Sequence, residues 1–279
     1  MSSYRVGIIG GGFVGSAVAF GFSSGNNYDF NIKVYDIDPD KSTHTFEEVA
    51  TQSDYIFVCV PTPPKPDMSI DLSYIESVIV GLKECIDPAN QVIIVKSTVI
   101  PGTCQKLSRK YGLNIVSNPE FLTERRARWD FINATQIVIG SDDIIDRNRV
   151  KNLYQKRFSS MRFILTDTKT SEFIKYLLNC FFSSKLSFIN EMRQIADTAG
   201  VDWPTAISGL VTDSRVADSH VSAPGPDGKF GYGGKCFPKD INAMIHFARS
   251  LEVTPSVMKG AWEKNKEVRA TEVFGGTKK

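Results

Sequence analysis

The sequence has no apolar run approaching the ~20 residues that a membrane-spanning helix requires, so no membrane span is expected. It has almost no excess of either charge: 33 Lys and Arg stand against 31 Asp and Glu, a formal net charge of +2. The densest basic group, Arg125, Arg126 and Arg128, is too small to form a tail. Neither nucleic acid nor a membrane surface is therefore expected as a partner. Cysteine is scarce and unpaired in pattern, with five residues at positions 59, 85, 104, 180 and 236 and no CxxC. That excludes a disulfide framework and gives no zinc-ligand spacing, so no metal is expected. None of the three histidines, His44, His220 and His246, lies in a motif, and a histidine general base is not expected. No signal or transit sequence is expected either, because Met1–Val6 runs straight into an apolar strand, and a reducing cytoplasm is the expected compartment. What these absences leave is a globular protein of 279 residues, long enough for two domains and too short for three of full size.

Over the first 165 or so residues, short apolar runs alternate with helical or polar stretches, the rhythm of βαβ units around a parallel sheet. The expected strands are Arg5–Ile9, Ile32–Tyr35, Tyr55–Val60, Gln91–Lys96, Asn114–Val116, Gln136–Ile139 and Arg162–Leu165. Several are apolar throughout, as strands covered on both faces should be. From Thr168 the pattern changes. Phe173, Leu177, Phe181, Phe188, Met192 and Ile195 recur at helical spacing in a segment without Gly or Pro until Gly200. Further helices are expected at about 203–212, 240–251 and 255–270, with a Gly/Pro-rich loop from Ala223 to Pro238. The reading is an α/β protein of two parts: a sheet domain over residues 1–167 and a smaller all-helical domain over 168–279.

Gly10-Gly11-Gly12-Phe13-Val14-Gly15 follows the first strand and opens a helix. Gly10 would permit the tight turn, and Gly12 would let a pyrophosphate approach the backbone at the helix N-terminus. Gly15 would let the helix pack closely on the sheet. Asp36 ends the next strand at the spacing at which a carboxylate accepts ribose hydroxyls and repels a 2′-phosphate. The first domain is thus expected to be of Rossmann type and to bind NAD.

Further along, five segments carry reactive residue types: Val60-Pro61-Thr62-Pro63, Lys96-Ser97-Thr98-Val99, Asn118-Pro119-Glu120-Phe121-Leu122, Glu172 to Asn179, and Gly231-Tyr232-Gly233-Gly234-Lys235-Cys236-Phe237-Pro238-Lys239-Asp240. Cys236 follows a run of glycines that would admit a ligand close to the backbone. Lys235 and Lys239 flank it, and an expected helix starts near Asp240. Cationic neighbours and a helix N-terminus both favour a thiolate. Cys59 on a strand and Cys180 on a helix read instead as small buried hydrophobes. Lys175 and Asn179, four apart, share one helix face, where they could hold an oxygen that is losing its proton.

In this order the segments resemble the UDP-glucose/GDP-mannose dehydrogenase family, and among its branches the UDP-glucose 6-dehydrogenases. The likeness runs from Val6 to about Arg269 and is most specific in the block around Cys236. The resemblance implies oxidation of the C6 alcohol of a nucleotide-sugar substrate to a uronic acid, with two NAD and a cysteine thioester. It implies Cys236, Lys175, Asn179, Asp240, Glu120 and Thr98 as catalytic residues. The cofactor would meet Gly10, Gly12, Phe13, Val14, Gly15, Asp36, Pro61, Thr62, Thr98 and Glu124. The substrate would meet Glu120, Phe121, Leu122, Lys175, Asn179, Arg215 and Gly233. Asn190 and Glu191 also fall at matching positions, and pairing of relatives through their central helices implies a homodimer. Family members normally continue into a second Rossmann-like domain that holds the nucleotide, and these 279 residues do not include it. Two alternatives stay open: a two-electron β-hydroxyacid-type dehydrogenase that uses Lys175 and Asn179 without a cysteine, and a non-catalytic NAD-binding remnant.

Overall fold

The structure, a computed structural model, describes residues 4–23 and 30–269. They divide into two compact units. The first runs to Pro63 and then from Asp71 to Lys175. The second takes Pro64–Ile70 and continues from Tyr176. The division thus falls inside the long helix that starts at Thr168, seven residues beyond its first turn's origin, and a seven-residue loop of the first half of the chain joins the second unit.

All seven expected strands form: β1 (Tyr4–Ile9), β2 (Phe30–Tyr35), β3 (Tyr55–Val58), β4 (Val92–Val95), β5 (Ile115–Ser117), β6 (Gln136–Gly140) and β7 (Arg162–Thr166). They make one sheet in the order β2-β1-β3-β4-β5-β6-β7. The order reverses direction at β1, whose C-terminal end feeds the glycine turn, and open α/β sheets bind ligands at such a switch point. The sheet is mostly parallel rather than wholly so, because β6 meets β5 antiparallel through Ser117 and Gly140 and β7 then pairs parallel with β6.

Helices cover both faces, which is why the strands read as apolar runs. On one face Val6, Ile8, Phe57, Ile94 and Val116 pack with Ala17, Val18 and Phe22 of α1 (Phe13–Ser23). Phe131 of α5 (Ala127–Ile132) and Leu153 and Tyr154 of α6 (Ile144–Arg157) complete that layer. On the other face Ile9, Ile56, Val58, Ile93 and Val95 pack against α2 (Phe46–Thr51), α3 (Ser73–Lys83) and α4 (Thr103–Tyr111). Alternation along each strand assigns one set to each layer.

The helix α7 runs from Thr168 to Ala199. Asp167 caps its start, accepting from the Thr170 amide at 2.8 Å, and Gly200, at φ +70°, ends it with the Val201 amide donating to the Ala196 carbonyl. Its apolar repeat does not face a core. Phe173, Leu177, Phe181, Phe188, Met192 and Ile195 are all exposed, whereas Ser171, Glu172, Lys175, Asn179, Ser183, Ser187 and Asn190 are buried. The inward face of α7 is thus largely polar, with Tyr176, Cys180, Ile189 and Ala196 buried among these residues, and the apolar repeat lies outside it. The second unit adds α8 (Trp203–Thr212), α9 (Phe237–Ser250) and α10 (Ser256–Val268). Ser187 of α7 donates to the Ala261 carbonyl of α10 at 2.6 Å.

Candidate active site

The glycine turn after β1 has the local geometry its sequence requires. Gly10 sits at φ +99°, where a side chain is strained, and a Cβ on Gly15 would lie 1.8 Å from the Gly10 carbonyl oxygen. Gly12 has open space where a Cβ would be, at the exposed N-terminus of α1. Asp36 closes the turn from the end of β2. Its carboxylate accepts from the Gly11 amide at 2.6 Å and from the Asp38 amide at 2.9 Å. An open glycine at a helix start with a carboxylate fixed beside it fits the phosphates and ribose of a dinucleotide. Phe13 and Val14 form the first turn of α1. Thr62 is buried and Pro61 exposed in the loop after β3, and Ser97 donates to the Val60 carbonyl at 2.6 Å, joining the loops that follow β3 and β4. Thr98 lies half-buried just beyond. Glu124 is exposed in a 3-10 turn, Glu124–Arg126.

Also in the first unit is a buried cluster of charges. Glu120 accepts from the Lys175 ammonium at 2.9 Å, with both side chains under a tenth exposed. The other carboxylate oxygen of Glu120 accepts from the Leu122 amide at 2.6 Å, so the Phe121–Leu122 backbone wraps the carboxylate. Phe121 lies with its ring 5.5 Å from the Lys175 nitrogen, within cation–π range.

Beneath Glu120, the ammonium of Lys96 donates to the Asn118 carbonyl at 3.1 Å and to Asn118 Oδ1 at 3.0 Å. Tyr154 donates to the same Oδ1 at 2.6 Å, and Asn118 Nδ2 donates to the Val138 carbonyl at 2.7 Å. Burial brings Lys96 down to about 8, against the pull of Glu120. Cys59, beside it, has its thiol pushed up to about 12 by burial, the inert behaviour expected of it.

In the second unit, α9 begins at Phe237, nearer to the cysteine than expected, so that Cys236 is itself the residue capping the helix. Its carbonyl accepts from the Asp240 amide at 2.8 Å. Cys236 thus stands at the positive end of the α9 dipole, although its side chain makes no capping hydrogen bond to the first-turn amides. Asp240, one turn on, is 1% exposed and held at both oxygens. Asn179 Nδ2 donates to one at 2.6 Å, and Lys239 to the other at 2.6 Å. Lys239 thus spends its charge on Asp240, while Lys235 is exposed. Cys180 is pushed up to about 12 by burial.

Of the glycines before Cys236, Gly234 sits at φ +80° with open space where a Cβ would be, whereas Gly231 and Gly233 face side chains. A Cβ on Gly231 would lie 2.5 Å from Asn265 Oδ1, and one on Gly233 would lie 2.8 Å from Arg269 Nε. Side chains of the α10 end occupy that space. Arg215 projects outward, 86% exposed and paired with its neighbour Asp213 at 2.6 Å. Sequence reading missed Lys96, Asn118 and Tyr154 as a network, and it gave Asn265 and Arg269 no role. Lys96 and Asn118 lay inside quoted motifs, but Tyr154, Asn265 and Arg269 carry no local signal.

Residues 41–158 match the NAD binding domain of the UDP-glucose/GDP-mannose dehydrogenase family, and residues 169–267 match its central domain. The chain belongs to that family. The UDP-glucose 6-dehydrogenase of Rickettsia conorii is 34% identical over 232 residues, 81% of this chain and 52% of that protein. The chain thus spans about half the length of the curated relatives it matches. A UDP-glucose dehydrogenase from the archaeon Pyrobaculum islandicum superposes with a TM-score of 0.83 at 28% identity, covering 95% of this chain and 68% of that one. The 3-hydroxyisobutyrate dehydrogenase of Mycobacterium tuberculosis shares the fold, with a TM-score of 0.78 at 13% identity. Among the described residues no helix is long and apolar enough to cross a membrane, and no His/Cys/Asp/Glu group could hold a metal.

Proposed function

We propose that this chain oxidises the C6 alcohol of a nucleotide sugar of the UDP-glucose type to the uronic acid, through a thioester on Cys236. The observation that carries the reading is Cys236 at the N-cap of α9, with Asp240 one turn away and fixed by Asn179 and Lys239. Gly10–Gly15 and Asp36 would hold NAD, and two NAD molecules bound in turn would accept one hydride each. Lys175 and Asn179 hold the substrate oxygen as its proton leaves and the carbon loses a hydride, which gives the aldehyde. The Cys236 thiolate adds to the aldehyde carbon, and the thiohemiacetal gives up a second hydride and a proton to become the thioester. Water, oriented by Thr98 and Asp240 with Glu120 taking its proton, adds to the thioester carbonyl and expels the thiolate. The acid is released and Cys236 is restored. A reduced thiol is required throughout, which suits a cytoplasmic setting.

Two further parts of the reading concern partners. Relatives are about twice as long, and in the family the nucleotide half of the substrate is held by a further domain, so UDP-glucose should bind these residues weakly. The exposed apolar face of α7 is proposed to pair with the same face of a second copy. It is continuous from Phe173 to Ile195, about 33 Å at the helical rise, and a self-complementary stripe suits a two-fold dimer.

NADH formation on a panel of UDP- and GDP-sugars tests the function. Two NADH per acid formed and loss of turnover in Cys236→Ala, with the fold and NAD binding retained, are expected. One NADH per product with full turnover in Cys236→Ala would replace this reading with a two-electron β-hydroxyacid-type oxidation centred on Lys175.

A further inference from the structure

The turn that ends in Cys236 makes its anchoring bonds with side chains from helices far away in sequence. Asn190 of α7 accepts from the Gly231 amide at 2.8 Å. Asn265 of α10 accepts from the Tyr232 amide at 2.7 Å and donates to the Tyr232 carbonyl at 3.0 Å, a two-bond clasp on one residue. Arg269 donates to the Phe230 carbonyl at 3.1 Å and to the Gly231 carbonyl at 3.4 Å, and it pairs with Asp227 earlier in the loop. Asn265 is 0% exposed. A Cβ on Gly231, which sits at φ +67°, would meet the Asn265 amide, and one on Gly233 would meet the Arg269 guanidinium. The consecutive backbone from Phe230 to Tyr232 is thereby held, and Cys236 follows four residues later at the start of α9.

We propose that Asn265 and Arg269 are positioning residues for Cys236: they clamp residues 230–232 so that the turn delivers the thiol to the N-terminus of α9. The proposal rests on the reading of Cys236 as nucleophile, but its first test does not use the oxidation. Buried peptide groups have few alternative partners, so removing the clasp frees the turn rather than moving the bonds elsewhere. A nucleophile displaced by an ångström loses far more rate than affinity.

The experiment measures the rate at which iodoacetamide modifies Cys236 at pH 7, read peptide by peptide by mass spectrometry in the intact chain, with half-buried Cys85 as internal control. Asn265→Ala is expected to lower the Cys236 rate about threefold or more while Cys85 is unchanged. Asn265→Asp, which keeps the acceptor for the Tyr232 amide and loses the donor, should fall between. Arg269→Gln carries the same expectation and decides the matter where Asn265→Ala does not fold. In turnover, the same variants should lose about tenfold in kcat with KM nearly unchanged. Unchanged or faster Cys236 modification in both Asn265→Asp and Arg269→Gln would overturn the proposal. If the wild type yields no NADH with any nucleotide sugar, the proposed function falls, and the alkylation ratio still decides the clamp.

Discussion

The Lys175 ammonium lies 2.9 Å from a carboxylate oxygen of Glu120, both out of solvent, and the pair spans 55 residues of sequence. A buried pair of this kind is strongly destabilising to break from one side, because the remaining charge is left without compensation. Glu120→Gln and Lys175→Met alone should each cost about 3–5 kcal/mol in urea unfolding. The double variant should recover most of that stability and none of the turnover. Recovery of turnover along with stability would mean the pair is structural only.

Glu172, on the same helix, predicts a pH effect on stability. Its carboxylate accepts from the Cys104 amide at 2.7 Å and the Gly102 amide at 2.5 Å, yet burial outweighs these bonds and raises it from 4.5 to about 7. The native state therefore holds a proton that the unfolded chain releases near 4.5. The contribution is complete below that point and is lost as pH rises through about 7, at most about 3 kcal/mol. Unfolding measured from pH 5 to 8 should show this decline in the wild type and a flatter profile in Glu172→Gln. Parallel profiles would assign the pH dependence to other groups.

Asp36 is expected to set the choice of cofactor. Its carboxylate is fixed by the Gly11 and Asp38 amides, so it cannot swing away from a 2′-phosphate without losing two bonds. NAD should bind on the order of a hundredfold more tightly than NADP, given the repulsion between two nearby anionic groups. Asp36→Ser should narrow the gap. Equal affinities of the wild type in a titration would remove this role.

The face of α7 predicts an oligomer. Phe181 and Phe188 are 59% and 57% exposed at the middle of the stripe, more apolar surface than a monomer usually leaves uncovered. Light scattering should give a dimer for the wild type and a monomer for a Phe181→Glu, Phe188→Glu variant. A wild-type monomer at every concentration would dismiss the pairing.

Much of the candidate site was legible because its pieces are local. A glycine turn between a strand and a helix, a carboxylate at the next strand end and a cysteine ahead of a helix each depend on a few consecutive residues. The Lys175–Asn179 face follows from helical spacing alone. The clamp on the Cys236 turn was not legible, since Asn190, Asn265 and Arg269 meet residues 230–232 across 33 to 41 positions of chain and make no periodic pattern. The glycines there did not distinguish the two cases: Gly231 and Gly233 face neighbouring side chains, whereas Gly234 has open space.

The amino-acid sequence by itself determined the seven strands, the long helix and the positions of the glycine turn and of Cys236 ahead of a helix, because backbone sterics and hydrophobic periodicity act over short distances. Only the tertiary structure decided that the apolar stripe of α7 faces outward. Periodicity shows that a helix has two faces, and which one is buried depends on partners elsewhere in the chain. Here many of those partners are polar: Lys175 meets Glu120, Asn179 meets Asp240 and Asn190 meets the Gly231 amide, so satisfying buried charges and peptide groups, beside the buried Tyr176 and Ile189, took the inner face and left the apolar repeat exposed.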